Sequence, residues 1–313
     1  MSFTAGRTPH TQDAYRRDLG DFAAYLRQQT LTPTRLGGQA DQDAEAIAGF
    51  LALSAGRANE VVTAYGSHLF ARGRAPGTVG RRIGCLRSLV KHARMVGLVP
   101  WTLEVRLPRR ELTRDTRGPS LETIAAMLAT AGRQEPPTGP RDVALLRVAY
   151  DLALRVSELT RLDVADVDLK TGALWVLGKG RRTKELLTLP PSSREAVAAW
   201  LAVRGKDKGP LFLSFGRSNQ RGRLSSGGVQ QIIRTLGAAV GMKVWPHGLR
   251  HTAITQAIDI AATHGLSIDL VRQFSRHRTL QTLLVYRDQH ENKQHAFAEW
   301  VSETLATGAE GRA

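Results

Sequence analysis

The chain has 313 residues, 42% of them hydrophobic and 23% charged, and its 44 Lys+Arg against 28 Asp+Glu leave a formal net charge of +16. That length suffices for two cored domains, the ordinary apolar content excludes a disordered basic tail, and the positive surplus points to a polyanionic partner. No stretch approaches the ~18 apolar residues of a membrane span, Met1 to Arg17 holds no apolar signal core, and one cysteine, Cys85, makes no intrachain disulfide and fits a reducing compartment, the cytoplasm.

The surplus is shared equally by the two parts of the chain. Residues 1–117 carry 18 Lys+Arg against 10 Asp+Glu and residues 118–313 carry 26 against 18, which predicts two lobes that face the same polyanion. Tyr15, Leu19, Phe22 and Leu26 fall on one face of a helix, and Val79, Ile83, Leu86 and Val90 repeat the rhythm. Weaker helical patterns at Ile47–Leu53 and Val62–Leu69 lie between Gly and Pro punctuation, so the first hundred residues predict a bundle of four or five helices. Gln29 to Ala58 is less regular and reads as an extra loop or a partner surface around Asp41, Asp43 and Glu45. Arg81, Arg82, Arg87 and Lys91 lie largely off the apolar stripe of the last helix, where they form either a solvated face or a phosphate-contacting one.

Glu104 to Pro119 is charged and aperiodic, the best linker in the chain. Beyond it Ser120 can cap a helix carrying Ile124 and Leu128, and Pro140 can open another that runs through Leu154. ALWVLGKGRRTKELLTLP switches to strand chemistry, two apolar runs about a turn, and predicts a β-hairpin. Helices are expected again at Ser192–Val203, Gly227–Val240, Leu249–His264, Ile268–His277 and Thr279–Tyr286. Phe297, Trp300, Val301 and Leu305 form a final apolar stripe.

Five places carry chemistry: Arg155 in DLALRVSEL, Lys179 in the hairpin turn, His247 with Arg250 in HGLRHT, His277 in FSRHRTL and Tyr286 in LLVYRD. Singly each has a plain reading as a surface or packing residue. In this order and spacing, with GKG 24 positions after the arginine and the last histidine nine before the tyrosine, they resemble the tyrosine recombinase family of phage-integrase and Xer type. The resemblance spans nearly the whole chain, with residues 9–29 and 75–98 similar to the family's core-binding helices and 118–290 to its catalytic domain.

The resemblance implies a mainly α fold with a small β-sheet. It comprises a helical, SAM-like core-binding domain over 1–105, a linker over 106–118, a mixed α/β catalytic domain over 119–290, and a C-terminal helix and tail over 291–313 that serves oligomerisation. Because the core-binding pattern begins by about Thr11, no additional arm-binding domain is expected. The implied activity is site-specific DNA recombination through a 3′-phosphotyrosyl intermediate and a Holliday junction. The partners are double-stranded recombination sites bound by a homotetramer, cytoplasmic and nucleoid-associated, with no membrane partner, no metal and no other cofactor.

The family pattern makes Tyr286 the nucleophile and Lys179 the general acid, with Arg155, His247, Arg250 and His277 completing the catalytic set. Those residue types suit the chemistry, since two permanently charged guanidiniums hold phosphate oxygens, histidines add donors or relay a proton, and neighbouring cations ease the ionisation of a phenol. Glu158 is either a surface partner of Arg155 or, as in the family, a buried acid that orients it. Arg181 and Arg182 are expected on the DNA backbone, and Lys184 is the alternative acid. His247 and His251 have the spacing of a helical metal pair, but Gly248 stands where a zinc hydrolase has glutamate. A type IB topoisomerase and a non-cleaving DNA-binding relative are the rival functions. One departure is plain: Phe274-Ser275-Arg276 precedes His277 where the family usually has Leu-Gly, which puts the turn there in question.

Overall fold

The structure is a computed structural model that describes residues 9–29, 38–105, 118–178, 180–216, 221–281, 283 and 298. The chain divides into two compact units, Met1–Arg114 and Asp115–Ala313.

Among the described residues the first unit is four helices: α1 (Pro9–Gln29), α2 (Gln39–Leu51), α3 (Ala55–Ala71) and α4 (Pro76–Met95). The predicted stripes face its core. Phe22 is fully buried with its ring edge-on to Phe50 at 5.0 Å, and Val79, Ile83, Leu86 and Val90 are all buried. Cys85 packs as a small core residue beside them. The stretch expected as a loop or partner surface around Asp41 contains regular helix instead, because α2 begins at Gln39 and buries Phe50. Its acidic residues are partly used within the unit, where Asp43 accepts from Arg27 and from Gln39 Nε2 at 2.9 Å.

The second unit begins with α5 (Leu121–Gly132), capped by the Ser120 hydroxyl, which accepts from the Thr123 amide at 3.2 Å. Next come α6 (Thr138–Asp151), the short α7 (Val156–Leu159) and a three-stranded antiparallel sheet of β1 (Val167–Asp168), β2 (Ala173–Leu177) and β3 (Lys184–Thr188) in that order. The β2–β3 hairpin is the one expected, with Leu177 opposite Lys184, while β1 is too short for a pattern of its own. Four helices follow: α8 (Pro191–Arg204), α9 (Ser226–Ala239), α10 (Pro246–Thr263) and α11 (Ile268–Ser275). The core gathers around Trp200, fully buried with its indole N–H on the Leu211 carbonyl at 2.8 Å.

In the second unit two helix C-termini fall two or three residues short of expectation, and both shape the site. α6 stops at Asp151 rather than Leu154, and Ala153 takes a left-handed φ of 45°. α11 stops at Ser275, with Arg276 left-handed at φ 53°. α10 is located by its contact with the entry to α5: the Thr252 hydroxyl donates to the Pro119 carbonyl at 2.7 Å, and a Cβ on Gly118 would lie 2.1 Å from the Gly248 carbonyl. Gly118→Ala therefore has to push α10 away and is expected to destabilise the second unit by about 1–3 kcal/mol. Gly84→Ala in α4 meets nothing within 4 Å and is expected to stabilise the first unit by about 0.5–1 kcal/mol. Denaturant titration of both variants checks the contrast.

Candidate active site

Arg155 is the N-cap of α7 rather than a residue of a helix interior, and the chain reaches it through the left-handed turn at Ala153. Its amide donates to Glu158 Oε2 at 2.9 Å and its Nη1 to Oε1 at 2.8 Å. Glu158 is wholly buried while 28% of the Arg155 side chain stays exposed. The pair is thus an anchored arginine with an open edge, and the simple surface ion pair does not describe it. Burial pushes the Glu158 carboxyl up, but the guanidinium of Arg276 and the amide and guanidinium of Arg155 outweigh it and hold the group below the usual carboxylate range.

Arg250 projects from the second turn of α10 and is buried. It donates through Nη1 to the Ala153 carbonyl and through Nη2 to the Ser275 carbonyl, and Nη2 lies 3.3 Å from His277 Nε2. His277 is fixed from its other side by the Ser275 hydroxyl, 3.1 Å from Nδ1. Burial, then the charges of Arg250, Arg155, Arg276 and His247, push its imidazole down to about 4. His247, in the first turn of α10, is exposed. Partial desolvation, then Arg250 and Arg155, hold it below the ordinary histidine value. Both imidazoles are therefore neutral at pH 7 beside two permanent cations.

The second unit thus brings together five predicted residues: Arg155, Glu158, His247, Arg250 and His277. Lys179 and Tyr286 lie outside the described residues. Beside Arg155 is a cavity of about 630 Å³ lined by Glu158, Arg181, Glu185, Arg276 and Arg278. Its walls carry more guanidinium than carboxylate charge, which suits an anion. Arg181 pairs with Glu185, Arg182 is exposed, and Lys184 pairs with the buried carboxylate of Asp166. His251, the possible second member of a metal pair, is buried with Nδ1 3.4 Å from the Thr255 hydroxyl. Among the described residues no three His, Cys, Asp or Glu side chains gather as a metal site.

In the first unit the four predicted backbone contacts divide. Arg82 pairs with Asp21, near the Tyr65 hydroxyl, with only 13% of its side chain exposed, and Arg87 donates to the Val105 carbonyl. Arg81 pairs with the buried Asp18 but remains half exposed, and Lys91 is exposed. Spacing places such residues off the apolar stripe, but it does not reveal that carboxylates on α1 meet them there. Ser275 and Arg276 were not anticipated as site residues; the one signal for Arg276 was its place in the glycine position of the family pattern.

A sequence model of the phage integrase family matches residues 120–293. The chain is 34% identical over 305 residues to a tyrosine recombinase of Synechococcus elongatus, covering 96% of this chain and 91% of that one. It is 28% identical over 298 residues to the tyrosine recombinase XerC of Pseudomonas syringae pv. syringae, covering 92% and 87%. Among solved structures it resembles a lambda integrase dimer bound to a COC′ core site, with a TM-score of 0.64 at 14% identity over 92% of both chains. The Tn1549 transposon integrase with transposon right end DNA gives 0.61 at 13% identity, over 92% of this chain and 99% of that one. At these identities the structural likeness establishes the fold.

The low value at His277 sets the sign of a pH effect. An unfolded histidine titrates near ~6.5, so between that value and the folded one the unfolded chain binds the extra proton. The stability tied to the neutral ring is complete above about pH 6.5 and is lost as pH falls toward 4. Ring chemical shifts in an NMR titration are expected to show His277 still neutral at about pH 5.5, between the two values. A midpoint above about 6 would contradict the desolvated, cation-flanked environment.

Proposed function

Because the chain belongs to the phage integrase family of tyrosine recombinases and is a site-specific DNA recombinase that cleaves and rejoins DNA, we propose that Arg155 and Arg250 hold the scissile phosphate that Tyr286 attacks. The observation that carries this reading is the gathering of Arg155, Arg250, His247 and His277 at one site, two permanent cations with two neutral imidazoles. The open edge of Arg155 faces the anion, while Arg250, buried and tied to two carbonyls, supplies fixed positive charge behind it.

In the cleavage step the Tyr286 oxygen forms a bond to phosphorus as the bond from phosphorus to the 5′ oxygen breaks. The phenolic proton passes to a neutral imidazole, for which His277 is the acceptor of choice. An arriving phosphate offsets the arginine charges and raises the basicity of that ring when it is needed. The 5′ oxygen takes a proton from Lys179 and leaves as a hydroxyl. Lys184, engaged with Asp166, is the weaker candidate for that proton. Phosphodiester number is conserved throughout: the 3′-phosphotyrosyl bond is later attacked by a 5′ hydroxyl of the partner strand, which gives a Holliday junction after the first exchange. No metal or nucleotide is required by this balance.

The DNA-bound form is a homotetramer on two duplex sites. Segment 291–313 is proposed to join its subunits through the apolar residues Phe297, Trp300, Val301 and Leu305, which lie outside the described residues. A groove of about 420 Å³ lined by Tyr150, Ala257, Ile260, Leu266, Leu270 and Phe274 on the second unit supports this arrangement. Arg81, Lys91, Arg181 and Arg182 contact the DNA backbone; Arg82 and Arg87 contribute there chiefly by holding the first unit together. The protein acts where its DNA is, at the nucleoid in the cytoplasm.

The test uses a pool of nicked duplexes with randomised arms, from which covalent protein–DNA adducts are isolated and sequenced. The wild-type chain is expected to enrich one site and Tyr286→Phe to form no adduct, while Arg155→Ala still binds that site but cleaves at least about 100-fold more slowly, the scale of losing one oxyanion donor. An adduct from Tyr286→Phe would remove the nucleophile assignment. Lys179→Ala is expected to lose cleavage of the ordinary duplex and to regain it when the 5′ bridging oxygen is replaced by sulfur. A thiol ionises near ~8.5 and leaves without a proton donor. Failure of the sulfur substrate to restore cleavage would assign the proton to another group.

A further inference from the structure

Arg276 occupies a backbone position that glycine fills most easily. It caps α11 in the left-handed region, at φ 53° and ψ 39°, where a side chain strains the backbone. The side chain does not escape to solvent; 6% of it is exposed. It reaches back to the turn that precedes α7, with Nη1 donating to the Leu152 carbonyl at 3.0 Å, and also donates to the Phe274 carbonyl of α11 at 3.2 Å. Nη2 donates to the Ala153 carbonyl at 3.1 Å and to Glu158 Oε2 at 3.0 Å. That oxygen is also the one that accepts the Arg155 amide. Arg155 Nη2 in turn points to the Arg276 carbonyl at 3.4 Å.

Glu158 therefore sits between two guanidiniums. A buried carboxylate with a single partner retains an unmatched part of its charge; the second guanidinium completes its hydrogen bonding and fixes the plane of the carboxylate that Arg155 grips. Ala153 is bound in the same way, since its carbonyl accepts from both Arg276 and Arg250. Two of the left-handed non-glycine residues in the described chain, Ala153 and Arg276, thus meet at one hydrogen bond. Strain of this kind persists where the surroundings over-determine it.

We propose that Arg276 is a positioning residue of the recombinase, which shares the Glu158 carboxylate with Arg155 and locks the Ala153 turn so that Arg155 meets the scissile phosphate in one fixed orientation. This inference rests on the reading of Arg155 as a phosphate-holding residue. Arg276 supplies what glycine at the same place cannot, a cation under the arginine site, and the side chain's hydrogen bonds offset the strain of its own backbone.

The charged groups around the two titrating members set the expected readout. Glu158 faces Arg155 and Arg276, with Arg181, Glu185 and Arg278 lining the same cavity. His277 faces Arg250, Arg155, Arg276 and His247. Removing the Arg276 charge raises the proton affinity of both Glu158 and His277, so the acid side of the cleavage profile moves to higher pH.

Single-turnover adduct formation is measured against pH with the duplex most enriched by the full wild-type chain. Arg276→Gly relieves the left-handed strain and is expected to fold and to bind that duplex within about twofold of wild type, yet to cleave about 10- to 100-fold more slowly, with its acid limb displaced upward. Arg276→Lys keeps the charge and is expected to keep the wild-type limb and recover part of the rate. An Arg276→Gly enzyme with wild-type rate and limb overturns the proposal. So does one whose binding and cleavage fall together with its melting temperature while the limb stays in place, the signature of a structural staple alone. Arg155→Ala in the same assay separates the two levels: normal cleavage there defeats the reading of Arg155 itself, whereas its loss beside an unaltered Arg276→Gly defeats only the role of Arg276.

Discussion

The catalytic unit depends on one carboxylate. Glu158 is entirely buried and holds Arg155 through both backbone and side chain, and Arg276 donates to the same Oε2 that accepts the Arg155 amide. Breaking a buried pair by removing one partner costs about 3–5 kcal/mol, because the charge left behind has no water to turn to. The same penalty restricts the geometry. With its carboxylate fixed from two directions, Arg155 keeps few orientations, and the part of it that remains exposed is ready for a ligand before any ligand arrives. Pre-set charge of this kind stabilises a developing negative transition state without reorganisation at the moment of reaction.

Strain and cation density accompany that arrangement. Ala153 and Arg276 both sit in left-handed backbone, at about 1–2 kcal/mol each for residues with a Cβ, and buried arginine hydrogen bonds hold both turns in place. Burial first, and then the crowding of guanidiniums, favours the neutral form of both histidines. A phosphate relieves that crowding, and so the site is electrostatically suited to the substrate class that the net charge of +16 already indicated.

Much of this was legible before the fold was known. Helix stripes such as Val79, Ile83, Leu86 and Val90 follow from 3.6-residue periodicity, which depends only on local geometry, and all four are buried. The β2–β3 hairpin was legible from a different local signal, two apolar runs about a turn. Boundaries were less so. α6 ends three residues early, because arginines distant in sequence bind the carbonyls of Leu152 and Ala153. The partners of the basic face of α4 were not legible, since spacing alone does not show that Asp21 on α1 lies beside Arg82.

What the sequence determined by itself was the set of chemical groups and their order: two arginines, two histidines, a hairpin lysine and a tyrosine in a family pattern spanning two units. Side-chain chemistry is carried by residue type and survives without coordinates. What only the tertiary structure decided was how those groups share their surroundings. The departure at Arg276, visible in the sequence as a missing glycine, acquires a meaning only when its guanidinium lies 3.0 Å from a carboxylate 118 positions away. A contact at that separation is written by packing and burial, which no local pattern encodes.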